Sequence, residues 1–348
     1  MTTKPLIFDQ SFAELEDYFK GLGQPGYRAL QLWEGLYQAL VTSPAEISNL
    51  PQDLREQLSD DFQFSAFEQK TELFSQDGST RKYLLEADDG ALIEVVLMRY
   101  ERRRTACIST QVGCGMGCVF CATGQMGLTR HLSRGEIIEQ VLMIERELAK
   151  ADDRLTNVVV MGMGEPFHNY EETLAAIEIL NDARGFNFGA RRFTISTVGL
   201  IPMIERFIEE DLQVNLAISL HAATQKLRDQ LLPINARYPL DELMHTCRRY
   251  VQKTGRRITF EWALIQGVND TPEQARALAD LVANINCHVN LIPLNPTDGY
   301  SGDRTDPMVV EQFLAILEER GVSATVRVRR GIDIQAGCGQ LATEHDEK

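Results

Sequence analysis

The 348-residue chain has no apolar run approaching the roughly 18–20 residues that a membrane span needs. Its opening residues, MTTKPLIFDQSFAELEDYF, carry acids where an export signal has its apolar stretch, so a cytoplasmic location is expected. Positive charge is also short: 35 Lys and Arg face 50 Asp and Glu, a formal net charge of -15. That balance speaks against nucleic acid held by bulk attraction, but not against a local basic face, because contact depends on the potential where the ligand sits. The basic clusters Arg102–Arg103–Arg104, Arg191–Arg192, Arg248–Arg249, Arg256–Arg257 and Arg327–Arg329–Arg330 read singly as solvated loops or strand edges. Charge therefore leaves the partner open. Low-complexity segments are absent. Seven cysteines is an odd number, and the four within residues 107–121 lie too close to pair comfortably with one another. In a cytosolic chain such a cluster points to metal binding or catalysis rather than a disulfide framework.

What is present changes character near residue 100. Residues 11–60 carry apolar positions at helical spacing, with Pro44 and Pro51 marking helix starts. Residues 65–100 alternate as strands around the turns QDGST and DDG, a small antiparallel sheet. Beyond residue 103, short β-branched runs such as TNVVVMG and VNLAISL alternate with amphipathic helices. This rhythm predicts βα units and a parallel sheet, either open or closed as a barrel, with ligand sites at the carboxyl ends of the strands. The fold class is α/β. The expected division is an accessory module over 1–100, a βα core over 101–335 and a C-terminal segment over 336–348, whose last residues, ATEHDEK, are expected to fray.

Five polar features fall at that carboxyl end: the triplet Cys114, Cys118 and Cys121, the stretch GMGEP at 162–166, Ser196, the run Ser219–Leu220–His221, and Asn295. The triplet has the spacing C-x3-C-x2-C. Zinc would want four ligands, usually in two separated pairs. Closely spaced thiolates on one loop suit an iron–sulfur cluster, and three leave one iron open to a small molecule. Gly113, Gly115 and Gly117 let the backbone fold tightly there, which argues against purely structural cysteines. Alone, His221 would more often be a satisfied core histidine, Glu94 an outward-facing strand residue, and Cys107 a buried one. Cys247 and Cys287 read as small buried hydrophobes.

With this spacing after the first strand of a βα repeat, the chain resembles the radical S-adenosylmethionine enzymes. The segments CISTQVGCGMGCVFCATGQMGLTRHLSRGEIIEQV, MGMGEP, RRFTISTVGLIP, LAISLHA, LIPLNP and RRGIDIQAGCGQL narrow the likeness to the RlmN/Cfr family of RNA adenosine methyltransferases, over nearly the whole chain. The resemblance implies a partial (β/α)6-type barrel and a [4Fe-4S] cluster on Cys114, Cys118 and Cys121. It also implies cofactor contacts at Gly164, Glu165, Ser196, Ser219, Leu220, His221 and Asn295. Phe120 matches the aromatic residue usual before the third cysteine.

The family's chemistry implies the remaining roles. Cys338 would accept a methyl group from one S-adenosylmethionine, and a second would generate the radical that activates it toward adenine. Cys107 would resolve the protein–RNA adduct by a transient disulfide with Cys338, and Glu94 would accept a proton. Gly337 stands where the family more often has alanine, and is expected to loosen the backbone beside Cys338. The implied substrate is an adenosine of 23S rRNA methylated at C2, with a tRNA anticodon-loop adenosine as a further candidate, an electron donor such as flavodoxin, and a monomeric state. A C8-specific 23S rRNA methyltransferase shares every cysteine. From other classes, a radical enzyme acting on a small molecule or a non-catalytic iron–sulfur protein would leave Cys338 unmodified.

Overall fold

In the computed structural model, which describes residues 4–328 and 330–342, helices Phe12–Gly21, Tyr27–Tyr37 and Gln52–Asp61 precede any strand. Arg329 and all but the first residue of the ATEHDEK tail therefore lie outside the described residues. Each helix buries one apolar face: Leu15 and Phe19 from the first, Leu32, Trp33, Leu36 and Tyr37 from the second, Leu54 and Leu58 from the third. Ser11 and Glu14 cap the first helix reciprocally, each side chain accepting the other's backbone N–H. Pro44 starts a short 3-10 turn and Pro51 sits at the N-cap of the third helix, as their positions predict.

Strands β1 (Phe67–Phe74), β2 (Thr80–Ala87) and β3 (Leu92–Arg99) form an antiparallel meander. It leads directly into the next strand, β4 (Arg104–Ile108), by a further antiparallel pairing. A separate hairpin of β5 (Gln111–Cys114) and β6 (Gly127–His131) follows. Then come β7 (Asn157–Val160), β8 (Phe193–Thr197), β9 (Asn215–Ser219), β10 (Ile258–Leu264), β11 (Cys287–Pro293) and β12 (Ala324–Val326). From β4 through β7 to β12 every pairing is parallel. One ten-stranded sheet results, in the order β1-β2-β3-β4-β7-β8-β9-β10-β11-β12, with the meander as its leading edge. Among the described residues β12 does not return to pair with β4, so the barrel is partial. No helix among them is long and apolar enough to cross a membrane.

The helix Arg134–Ala149 joins the N-terminal helices to the parallel strands. Ser133 and Glu136 cap it reciprocally, and Ile137, Ile138, Val141, Leu142 and Ile144 are buried. The Gly135 N–H donates to Asp9 Oδ1 at 2.8 Å, and a Cβ at Gly135 would stand 2.8 Å from the Asp9 nitrogen. Arg146 Nε donates to the Leu40 carbonyl at 2.8 Å. From the opposite side Gln140 clasps the end of β4, accepting from the Ser109 N–H at 2.7 Å and donating to the Ser109 carbonyl at 3.0 Å.

Glu139 on the same helix is buried, accepting from the Ser65 hydroxyl and the Ala66 N–H. Burial pushes its carboxyl up to about 7 despite those donors. Since the unfolded value is 4.5, ionisation favours the unfolded chain. The stabilising contribution is complete below about 4.5 and is lost as pH rises through about 7. At ~1.4 kcal/mol per pKa unit, the stability advantage of wild type over Glu139→Gln should shrink by about 2 kcal/mol between pH 5 and 7.5 in urea unfolding. A difference that does not vary with pH would show that this carboxyl ionises freely.

Candidate active site

The carboxyl ends of the parallel strands close around one cavity of about 210 Å³. Cys107, Cys114, Cys118, Cys121, Gly164, Glu165, Ser196, Ser219, His221, Asn295 and Cys338 all line it. Two of the residues the sequence pointed to do not. Leu220 is fully buried, its N–H donating to the Glu261 carbonyl at 3.0 Å and its own carbonyl accepting from Arg228. Glu94, in β3, is buried outside the cavity lining.

The cysteine loop is tied at its base by the β5–β6 hairpin. Gly113 adopts φ +71°, and a Cβ there would fall 1.9 Å from the Gly127 carbonyl oxygen. Its freedom is thus used to close the hairpin, at a register shift beside Val112, rather than to wrap a ligand. Burial pushes the Cys114 thiol up to about 12 and holds Cys118 and Cys121 above the ordinary range. For Cys118, the neighbouring Cys121 and Cys114 add to the rise.

Glu165 ends the turn after β7 and is 4% exposed. Burial pushes its carboxyl up to about 7, although the Val198 and Phe167 N–H groups donate to it. Among the described residues no Lys, Arg or His forms an ion pair with it within 4.0 Å. Its own N–H is held by Gln111 Oε1 at 2.8 Å. On the next strands Ser196 Oγ and Ser219 Oγ stand 3.3 Å apart. His221 has φ +57° and accepts the Ala263 N–H on Nδ1 at 2.9 Å, which leaves the proton on Nε2. Burial, with Arg228 nearby, lowers its pKa to about 3, so the ring is neutral. It is both a satisfied histidine and a wall of the cavity.

Residues 335–342 reach this site as a strap. The Ala122 N–H donates to the Gly339 carbonyl at 2.8 Å, and Thr123 Oγ1 to the Leu341 carbonyl at 2.6 Å. Asn295 Nδ2 donates to the Cys338 carbonyl at 3.0 Å, and Gln340 Nε2 to the Pro296 carbonyl at 3.1 Å. A Cβ on Gly337 would stand 2.6 Å from Asn295 Nδ2 and 2.6 Å from Gln340 Oε1, so this glycine makes room for the Asn295 bond. Glu94 anchors the far end: its carboxylate pairs with Lys82 at 2.6 Å and accepts the Ala342 N–H at 3.0 Å. It is 3% exposed, not outward-facing.

The strap brings Cys338, which keeps an exposed surface, into the cavity that Cys107 lines from β4. The surrounding protein pushes Cys107 up to about 12 and Cys338 up to about 11, and for Cys107 the proximity of Cys338 adds to the rise. Arg327 opposes both shifts. Its guanidinium, 3.6 Å from Glu261 Oε2, lines the same cavity. This corrects the reading of Arg327 as part of a solvated cluster. Glu261 also escaped the sequence reading, although a carboxylate inside the apolar strand ITFEWAL was a visible signal. So did Arg228, which is fully buried and donates to Asn235 Oδ1 and the Val198 carbonyl, each at 2.6 Å.

These residues fit a cluster and an amino-acid cofactor. Among the described residues no three His, Cys, Asp or Glu gather tightly enough for a single metal ion. The three thiols are instead spread over one loop and influence one another electrically. A cationic iron core would reverse their raised pKa values by taking the proton's place. Glu165, buried with no cationic partner among the described residues, suits an ammonium group, and the serine pair and Asn295 supply polar edges.

Known proteins agree with that chemistry. The Radical SAM superfamily pattern matches residues 108–282, and the ribosomal RNA large subunit methyltransferase N-terminal domain pattern matches residues 7–63. A dual-specificity RNA methyltransferase RlmN 1 from Myxococcus xanthus is 49% identical over 97% of this chain and 94% of its own length. A probable dual-specificity RNA methyltransferase RlmN from Geobacillus kaustophilus is 45% identical over 99% of this chain and 94% of its own. The crystal structure of a radical SAM methyltransferase from Sphaerobacter thermophilus superposes with TM-score 0.96 at 48% identity, covering 98% of this chain and 100% of that one.

The placement of Arg327 has a measurable consequence. In the reduced, cluster-free chain, alkylation of Cys338 by iodoacetamide should quicken roughly tenfold per pH unit between pH 8 and 10, as the thiolate fraction grows. Arg327→Met should slow it severalfold at each pH, read by peptide mass spectrometry. Faster reaction in Arg327→Met would show that the guanidinium does not face this thiol.

Proposed function

Because the chain belongs to the RlmN family of radical S-adenosylmethionine RNA methyltransferases, we propose that it methylates C2 of an adenosine in 23S rRNA, with a tRNA adenosine as second substrate. The observation that carries this reading is the shared cavity of Cys107 and Cys338, two thiols outside the cluster triplet. A radical enzyme that only cleaves its cofactor needs neither.

Cys114, Cys118 and Cys121 would hold the [4Fe-4S] cluster, and Glu165, Ser196, Ser219, His221 and Asn295 the S-adenosylmethionine. Bound there, with an electron donor such as flavodoxin, they would supply one methyl group and the means to abstract one hydrogen atom, at two S-adenosylmethionine molecules per turnover. Adenine C2 bears an sp2 C–H that is a poor nucleophile, so the methyl group goes first to a better one, the Cys338 sulfur. Cys338 loses its proton and becomes S-methylcysteine. After loss of one hydrogen atom its methylene carbon bonds to C2, and the protein is then covalently joined to RNA. Return of one electron to the donor and loss of the C2 proton to a base would restore the aromatic ring. Attack of the Cys107 thiolate on the Cys338 sulfur would then break the sulfur–carbon bond; the released carbon takes a proton and becomes the methyl group, and two electrons from the donor reduce the resulting Cys107–Cys338 disulfide. Glu94 is the proposed proton acceptor, and in the present conformation its carboxylate is engaged with Lys82 and the Ala342 N–H. The target base must leave its stack to enter, which favours a loop adenosine.

Nucleoside mass spectrometry of unmodified 23S rRNA treated with the reconstituted enzyme should show 2-methyladenosine. The enzyme itself should carry an added methyl group on Cys338, and Cys107→Ala should accumulate a protein–RNA adduct. Only 8-methyladenosine would move the chain to the C8-specific reaction. Unmodified Cys338 together with unmodified RNA would place it among radical enzymes of another substrate class.

A further inference from the structure

The turn between β3 and β4 contributes Tyr100 to the lining of the cavity. It is closed by the Tyr100 N–H donating to the Arg103 carbonyl at 2.8 Å. Arg104 locks it from below, donating to the Tyr100 carbonyl at 2.6 Å and pairing with Asp153 at 2.5 Å. Of the three arginines in the run, Arg104 is therefore structural.

Arg103 behaves differently. Its guanidinium lies over the Tyr100 ring, 5.0 Å from the centroid, and that ring lines the cavity. Arg330 approaches the same ring at 4.4 Å and lines the cavity itself. Among the described residues neither arginine has a carboxylate within 4.0 Å, in a chain where Arg99, Arg104 and Arg327 close by all do. Asp77, a carboxylate that feels Arg330, already takes hydrogen bonds from Ser75 and Ser79. Arg330 Nε is shielded from solvent with no acceptor among the described residues. Glu101, exposed on the same turn, is the opposing charge nearest in sequence.

The two arginines ride on the two segments that bring the thiols together: Arg103 leads into β4 and Cys107, Arg330 into the strap and Cys338. Tyr100 restricts both guanidiniums through its ring face, which lowers the entropy cost when they grip a ligand. Unpaired planar donors suit a bidentate anion, above all a phosphodiester. When an adenine leaves its stack to enter a pocket, the phosphates on either side of its ribose are left at the pocket mouth.

We propose that Tyr100, Arg103 and Arg330 form a phosphate-binding rim that grips the RNA backbone flanking the target adenosine. The proposal rests on RNA being the substrate. It addresses the acidic total: positive potential at the cavity comes in part from two arginines that form no ion pair among the described residues.

The test is binding of full-length unmodified 23S rRNA transcript by the reconstituted enzyme across a KCl titration, with nucleoside analysis in parallel. The Arg103→Gln, Arg330→Gln pair should lower the log–log salt slope by about 1.4, at about 0.7 for each phosphate no longer neutralised, and weaken binding roughly tenfold at fixed salt. The Arg103→Lys, Arg330→Lys pair should keep the wild-type slope. Arg191→Gln with Arg192→Gln removes the same charge from the 3-10 turn before β8, which does not line the cavity, and should leave the slope near wild type. A wild-type slope in the glutamine pair, or an equal drop in the Arg191 and Arg192 control, overturns the rim while methylated nucleoside from the wild type keeps the proposed reaction. Absence of both RNA binding and methylated nucleoside in the wild type overturns the two together.

Discussion

Everything the site can do depends on a few hydrogen bonds that hold the strap against the cysteine loop. Cys338 is separated from Cys121 by most of the βα core, yet the Gly339 carbonyl accepts from the Ala122 N–H at 2.8 Å. Thr123 and Asn295 add a bond on either side. Each such bond contributes only about 1 kcal/mol net, but together they decide whether two thiols share a cavity or belong to unrelated surfaces. Behind them the Glu94–Lys82 pair, at 2.6 Å and nearly solvent-free, fixes where the strap ends. A buried pair of this kind contributes little stability over apolar residues of the same size. Its value lies in placing the Ala342 N–H.

Charge in this molecule is organised by burial rather than by sum. Glu165 and Glu261 are buried at the cavity with carboxyls held above the ordinary range. Arg228 is buried too, and its donors are spent on carbonyls and Asn235. The cavity is therefore a region of low dielectric in which a cationic cofactor would meet preset partners. Potential at the binding face is set by the few groups there, which is why a net charge of -15 says little about it.

The alternation of strands and helices made the sheet legible, because parallel strands covered on both sides read as short apolar runs. The polar strand ends were legible for the same reason: Ser196, Ser219 and Asn295 interrupt those runs at one end. What stayed hidden were the residues whose roles arise from distant parts of the chain. Arg228 and Arg327 look like any surface arginine until Val198, Ser219 and Glu261 are placed around them. Gly113 looked like part of a ligand cradle, whereas its partner is the Gly127 carbonyl across a hairpin. Glu94 sits in an alternating strand, yet its carboxylate meets Ala342, far along the chain, which no local pattern can announce.

The strap follows the N-terminal helices, the cysteine loop and every strand of the sheet in chain order. During vectorial synthesis the sheet and the hairpin at the base of the cysteine loop are therefore available before their cover. Until residues 335–342 arrive, the Ala122 N–H and the Thr123 hydroxyl lack the acceptors they later find, and the loop lies open on that side. Order along the chain thus sets an order of assembly: the thiols are presented first, and Cys338 and the wall around it come afterwards.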